Sequence, residues 1–128
     1  MIIASPALPF TVEQPLFAAV LAHNATLARA FAAVLPAGAV VRDWHDLTDL
    51  LGDADRLDTL LGNFLGNKSE RLVLACVLMK ADYAAQADAL MPRVFTTWGG
   101  IDARNRALVL DMLEGLDDGD GLFEGETV

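Results

Sequence analysis

The feature that most constrains this chain is an unbroken run of eight apolar residues, Leu72–Met79, reading LVLACVLM. It covers more than two helical turns without a polar residue on any face. A helix of that kind must be enclosed on all sides. It is too short to cross a bilayer, which takes roughly 20 apolar residues. The run is therefore read as the buried core of a helix over residues 69–91. Ser69 is the candidate N-cap, because its hydroxyl can accept an orphan backbone N–H. Glu70 sits in the first turn, where the helix dipole favours a negative charge.

The other helices must then pack around this one. Of the 128 residues, 54% are hydrophobic. Many of these are Ala and Leu, the strongest helix formers. Val, Ile, Thr and aromatic residues never alternate over a strand's length, so no strand is expected. The fold class expected is all-α: one compact bundle of five to six helices formed by residues 1–116. A chain this long is expected to form one domain and to bury about two-thirds of its unfolded surface, with no need of a disulfide or metal.

Turn and cap signals divide the rest. Pro6 and Pro9 make residues 1–10 an extended strap. A first helix begins within Thr11–Pro15, where Thr11 and Gln14 have capping-box spacing. It runs to Leu35, with a break offered at His23-Asn24, and Pro36 and Gly38 end it. His23, Asn24, Thr26 and Arg29 also interrupt the apolar stretch Leu16–Leu35, which argues against a membrane span. Ala39–Val41 is read as a linker. Further helices are expected over Asp43–Leu51, from Asp53 or Asp55 to Leu65, from Asp88 to Trp98, and from Asp102 to Leu116. Gly99-Gly100 is the clearest turn.

The charge is uneven. There are 18 acids and 9 bases, a net charge of −9. Asp117, Asp118, Asp120, Glu124 and Glu126 stand in the last dozen residues without a base among them. That leaves 13 acids against all 9 bases, a net of −4, in residues 1–116. Residues 117–128 therefore read as a mobile acidic tail. Phosphate backbones and anionic membranes repel such a surface. The N-terminus lacks a basic n-region, and one cysteine cannot form an internal disulfide. Both point to the cytoplasm.

No constellation for catalysis, cofactor or metal stands out. Cys76 lies in the most apolar stretch, whereas a reactive thiolate needs exposure and nearby positive charge. The two histidines, His23 and His45, form no HxxxH or ExxH pair. The tail resembles a calcium loop only in part: aligning Gly121 with the loop glycine puts Leu116 and Thr127 where the first and last ligands belong. GNFLGNKS, residues 62–69, has an Asn between glycine and lysine, so it fails as a phosphate-binding loop.

Two surfaces remain as candidates. In helical geometry Asp43, Asp46 and Asp49 share one face, Trp44, Leu47 and Leu51 share another, and Asp53, Asp55 and Asp58 extend the acidity; Asp43, Trp44, Asp46, Asp49 and Asp53 are the candidate partner-binding residues. The acidic face suits docking of a basic protein, since complementary charge speeds encounter and selects the partner. The alternative is a helix-turn-helix over residues 88–113, with Arg93, Arg104, Asn105 and Arg106 of the right types to read bases. Global acidity favours the first. The expected function is non-enzymatic protein–protein interaction, as an adaptor, inhibitor, immunity protein or assembly chaperone. Self-association is open. The composition resembles that of small acidic helical accessory proteins of bacterial mobile elements, an analogy that does not fix function.

The tail reading has a direct check. Deleting Asp118–Val128 should leave the melting temperature nearly unchanged. A fall of about 5 °C or more, on the order of 1 kcal/mol for a domain this size, would show that Leu122 and Phe123 pack onto the body.

Overall fold

A computed structural model describes residues 8–115. Most of the expected N-terminal strap and all of the expected acidic tail, residues 117–128, lie outside the described residues. Within them the order is β1 (Thr11–Val12), α1 (Pro15–His23), α2 (Ala25–Val34), β2 (Val40–Val41), α3 (Trp44–Leu51), α4 (Arg56–Asn63), α5 (Lys68–Lys80), α6 (Ala84–Leu90), α7 (Val94–Trp98) and α8 (Ala103–Glu114). The protein is mostly helical, as its composition requires. Eight helices occur among the described residues, more than expected, because two long helices are each divided.

The first division is at Asn24. Its backbone N–H and its side-chain amide both donate to the Val20 carbonyl, at 3.0 and 2.9 Å. That closes α1, and α2 departs at 115°. No single described helix is long and apolar enough to cross a membrane.

The second division lies inside 69–91. α5 stops at Lys80, and Asp82 takes a left-handed conformation with φ of 74°. The Tyr83 N–H then reaches back to the Leu78 carbonyl at 2.7 Å, satisfying an orphan acceptor of the last turn. α3 holds this turn in place. Thr48 Oγ1 donates to the Ala81 carbonyl at 2.7 Å, and the Tyr83 hydroxyl donates to the Thr48 carbonyl at 2.7 Å. Gly52 is needed beside it, since a Cβ there would sit 2.8 Å from the Tyr83 hydroxyl. The continuous helix is thus corrected to a helix–turn–helix.

Several caps differ from expectation. Asn67 caps α5 in a full capping box with Glu70. Ser69 is instead buried, and its Oγ accepts the Asp102 N–H at 3.2 Å, tying the start of α5 to that of α8. Gln14 caps α1, its Oε1 accepting from Leu16 and Phe17 at 2.7 and 3.1 Å, while Thr11 belongs to β1. Asp55 occupies the α4 cap position in a left-handed conformation and makes no side-chain cap bond. Asp88 lies within α6, not at a cap. α6 ends at Leu90, before Pro92, whose missing N–H cannot continue a helix. Asp43 and Asp102 cap α3 and α8 as expected, accepting the N–H of Asp46 and Asn105.

The Ala39–Val41 linker is in fact half of a small parallel sheet. Thr11 pairs with Val40 and Val12 with Val41. Pro9 and Pro36 keep both segments out of helices, so their backbone groups find partners in each other. Gly38 donates to the Pro9 carbonyl and Thr11 to that of Ala39, both at 2.8 Å.

The buried apolar side chains form one continuous cluster. Leu72 through Leu78 are all buried within it, on α5, which packs against α2, α6 and α8. Met79, the last residue of the apolar run, is only partly buried. Leu74 and Leu78 are fully enclosed. Replacing either by Ala should cost about 2–5 kcal/mol by denaturant titration. A cost well under 1 kcal/mol at both would show that the helix is not held this tightly.

Candidate functional site

The described residues enclose an apolar groove of about 200 Å³ between α5, α6, α7 and α8. Each helix gives it one stripe at helical spacing. α5 supplies Leu72, Ala75, Cys76 and Met79. α6 and the residue after it supply Ala84, Ala87, Asp88 and Met91. α7 adds Val94 and Trp98, and α8 adds Val109 and Leu113. The hollow exists because three of these positions are alanines, where a leucine would fill the space.

Only Asp88 carries a charge among these lining side chains. It is exposed and makes no ion pair with another described residue. The apolar surface continues outside the groove on the same helices. Phe95 on α7 is 94% exposed, and Leu113 and Leu110 on α8 are 58% and 44% exposed. Side chains this large and apolar, gathered on adjacent helices, mark interaction surfaces more often than solitary ones do.

Cys76 borders the groove but stays buried, and desolvation pushes its thiol from 9.0 up to about 11. It has the character of a small hydrophobe here rather than of a nucleophile.

The acidic face around α3 is largely engaged with neighbouring side chains. Arg42 holds Asp46 through Nε and Nη2, at 2.9 and 3.2 Å, and through its backbone N–H at 2.9 Å. These hydrogen bonds keep the Asp46 carboxyl below its ordinary range. His45 lies 3.4 Å from Asp49, and Arg56 lies 3.6 Å from Asp53. Asp43 is engaged as the cap. Trp44 is no surface residue: it is 8% exposed and tilts against Phe17 at 5.9 Å, with Lys80 Nζ 6.0 Å from its ring centre. An apolar residue at the start of an amphipathic helix turns inward with Leu47 and Leu51.

The four residues singled out for reading bases are divided in the same way. Arg93 and Arg104 are exposed. Arg106 is partly buried; its Nη2 donates to the Ile101 carbonyl at 2.8 Å and its guanidinium lies 5.8 Å from the Trp98 ring centre. Asn105 is 1% exposed, with its amide bonded to Asn24 and Asp102. Only two of the four side chains are presented at the surface. The cap bond to the Asn105 N–H, then its side-chain bond, holds the Asp102 carboxyl below its usual range, with His23 3.4 Å away adding to this.

No family model, curated protein or solved structure matches the chain.

The sequence did not expose the groove. Its α6 stripe, Ala84-Ala87-Asp88-Met91, has i, i+3, i+4, i+7 spacing, but in one continuous helix that stripe would point elsewhere. No group of three or more His, Cys, Asp or Glu placed to hold a metal ion occurs among the described residues.

Cys76 provides a check on this site. Alkylation should be slow near pH 7 and should accelerate on unfolding. The thiol is raised in the fold, so its protonated form is favoured there, and the stabilisation is complete below pH 9. It should be lost as pH climbs from about 9 to about 11. Alkylation in the native state as fast as in denaturant would contradict the enclosed position.

Proposed function

We propose that the protein works by binding another protein chain, and that the groove between α5, α6, α7 and α8 receives an apolar anchor side chain flanked by a base. One observation carries this reading: a small apolar recess with a single carboxylate at its edge that pairs with no other described residue, continuing onto exposed Phe95, Leu110 and Leu113.

Size separates this from small-molecule binding. Sites for drug-sized ligands run to roughly 300–1,000 Å³. About 200 Å³ is smaller, and suits one bulky side chain, as in the central pockets of protein interfaces. The apolar surface beyond the recess supplies flat contact area that a small ligand would leave uncovered.

Charge selects the kind of partner. Asp88 complements Lys or Arg next to the anchor. The net charge of −9, including the exposed carboxylates of Asp43, Asp49 and Asp53, speeds encounter with a basic surface. This supports the adaptor, inhibitor or assembly-chaperone type of role. The DNA reading has less support, because Asn105 is committed to the core and Arg106 to Trp98.

The test is a synthetic amphipathic helix carrying a Phe or Leu anchor with an adjacent Arg. It should bind and slow Cys76 alkylation. Asp88→Arg should weaken binding roughly threefold to tenfold, as expected for loss and reversal of a partly exposed ion pair. Ala84→Trp, at an exposed position of the rim, should block it. Binding that is unaffected by both changes would overturn the reading.

A further inference from the structure

The groove asks for an apolar anchor with a base beside it, and the chain itself carries one. We infer that the groove's occupant is a second copy of this chain, with Phe95 of each copy entering the other's groove and Arg93 of each meeting the other's Asp88. The inference rests on the groove reading above and names its partner.

Three observations converge. The first is position. Phe95 is 94% exposed, and Val94 and Trp98 on the same five-residue helix line the recess. Residues one apart on a helix point about 100° apart, so Phe95 is carried past its own groove into solvent. Plug and part of the socket are therefore carried by one short helix. A two-fold contact needs this arrangement, since the same patch must serve both copies.

The second is size. An apolar cavity of about 150 Å³ accepts benzene. About 200 Å³ accepts a phenyl ring with its methylene. The wall offers ring and sulfur partners, Trp98 and Met91 among them, which add specific contacts to area burial.

The third is charge. Arg93, two residues before Phe95, is exposed and forms no ion pair among the described residues. Asp88 at the groove is in the same state. Each copy has one of each, so a two-fold pairing joins both at once. The net charge of −9 opposes association at long range. The contact should accordingly be concentration-dependent.

The experiment is sedimentation of the full chain from about 10 μM to 1 mM, the range in which weak pairing becomes visible. The mass should rise toward twice that of the single chain, with Cys76 alkylation slowing in step. Phe95→Ala should weaken pairing tenfold or more. Arg93→Asp and Asp88→Arg should each weaken it, and the double variant should recover to within about threefold of the parent. All three positions are exposed, and circular dichroism checks that the variants fold. Recovery in the double variant is something a merely structural effect would not give. A single-chain mass throughout, or Phe95→Ala pairing as well as the parent, overturns the inference. So does a double variant that pairs no better than the single ones. If the chain stays single but the basic helix peptide still slows Cys76 alkylation, only the second-copy assignment falls. If neither pairing nor peptide binding occurs, the groove reading falls with it.

Discussion

The arrangement of helices around the groove depends on one buried polar contact, the reciprocal amide pair Asn24–Asn105. Asn24 Nδ2 donates to Asn105 Oδ1 at 2.8 Å, and Asn105 Nδ2 donates back to Asn24 Oδ1 at 2.9 Å. The second N–H of each amide is also used, by the Val20 carbonyl and by Asp102. All four donors are thus satisfied in a site sealed from water. A buried amide left unpaired costs about 1–3 kcal/mol. Neither residue can be displaced without exposing the other to that cost. The pair joins the α1–α2 elbow to the first turn of α8, across 81 residues of chain. It also sets the rotation of α8 about its axis. With Asn105 turned inward, Leu108, Val109 and Met112 enter the core, and Leu113 is left at the groove's rim.

The other walls follow from the break after α5. A continuous helix over 69–91 would carry residues 84–91 away from the body. The left-handed Asp82, held by the Thr48 and Tyr83 hydroxyls, turns α6 back against α5. Two alanine-bearing faces then meet, Ala75 on α5 and Ala84 and Ala87 on α6. They allow close approach but leave volume unfilled. In a core such a void forfeits dispersion contacts. At the surface the same void is a recess open to a neighbour. Stability and site therefore arise from one element: α5 buries seven consecutive residues, and the flank of α5 facing α6 forms the groove floor.

Much of the fold was legible because its signals are local. Leu72–Met79 announced a buried helix, and Asp43 and Asp102 announced their caps. Pro15 marked the start of the first helix, and Asn24 marked its break. The features missed are those that local patterns do not encode. Asn67 took the cap from Ser69 because Ser69 serves a distant partner, the Asp102 N–H. Asp82 has no glycine-like signature for its left-handed turn, and the stabilising bonds come from α3, more than 30 residues earlier. β1 and β2 are two residues each, below any alternation the sequence could display. For the same reason the groove did not show in the sequence. Charged residues drew attention to α3, where Arg42 and Arg56 already pair with Asp46 and Asp53, whereas the groove is built from apolar residues, alanines and methionines among them, that carry no signature alone.

The charge distribution and the apolar face explain each other. A small protein presenting Phe95, Leu110 and Leu113 beside an open recess invites indiscriminate association. A net charge of −9 counters this by repelling like molecules and most acidic proteins at distances up to the Debye length, about 8 Å at physiological ionic strength. It leaves short-range recognition untouched, because a docked Arg93 faces Asp88 directly. On the proposed reading, association is restricted to partners that offer an apolar anchor and a base together. A second copy meets the local requirement while facing the global repulsion. A basic protein with the same anchor meets both, and would displace the second copy from the groove. On this proposal the paired state is a reserve form that keeps the apolar face covered until a better-charged partner arrives. The Arg42–Asp46 pair at the start of α3 fits the same logic, since a carboxylate already matched by a base competes less with Asp88 for an incoming one.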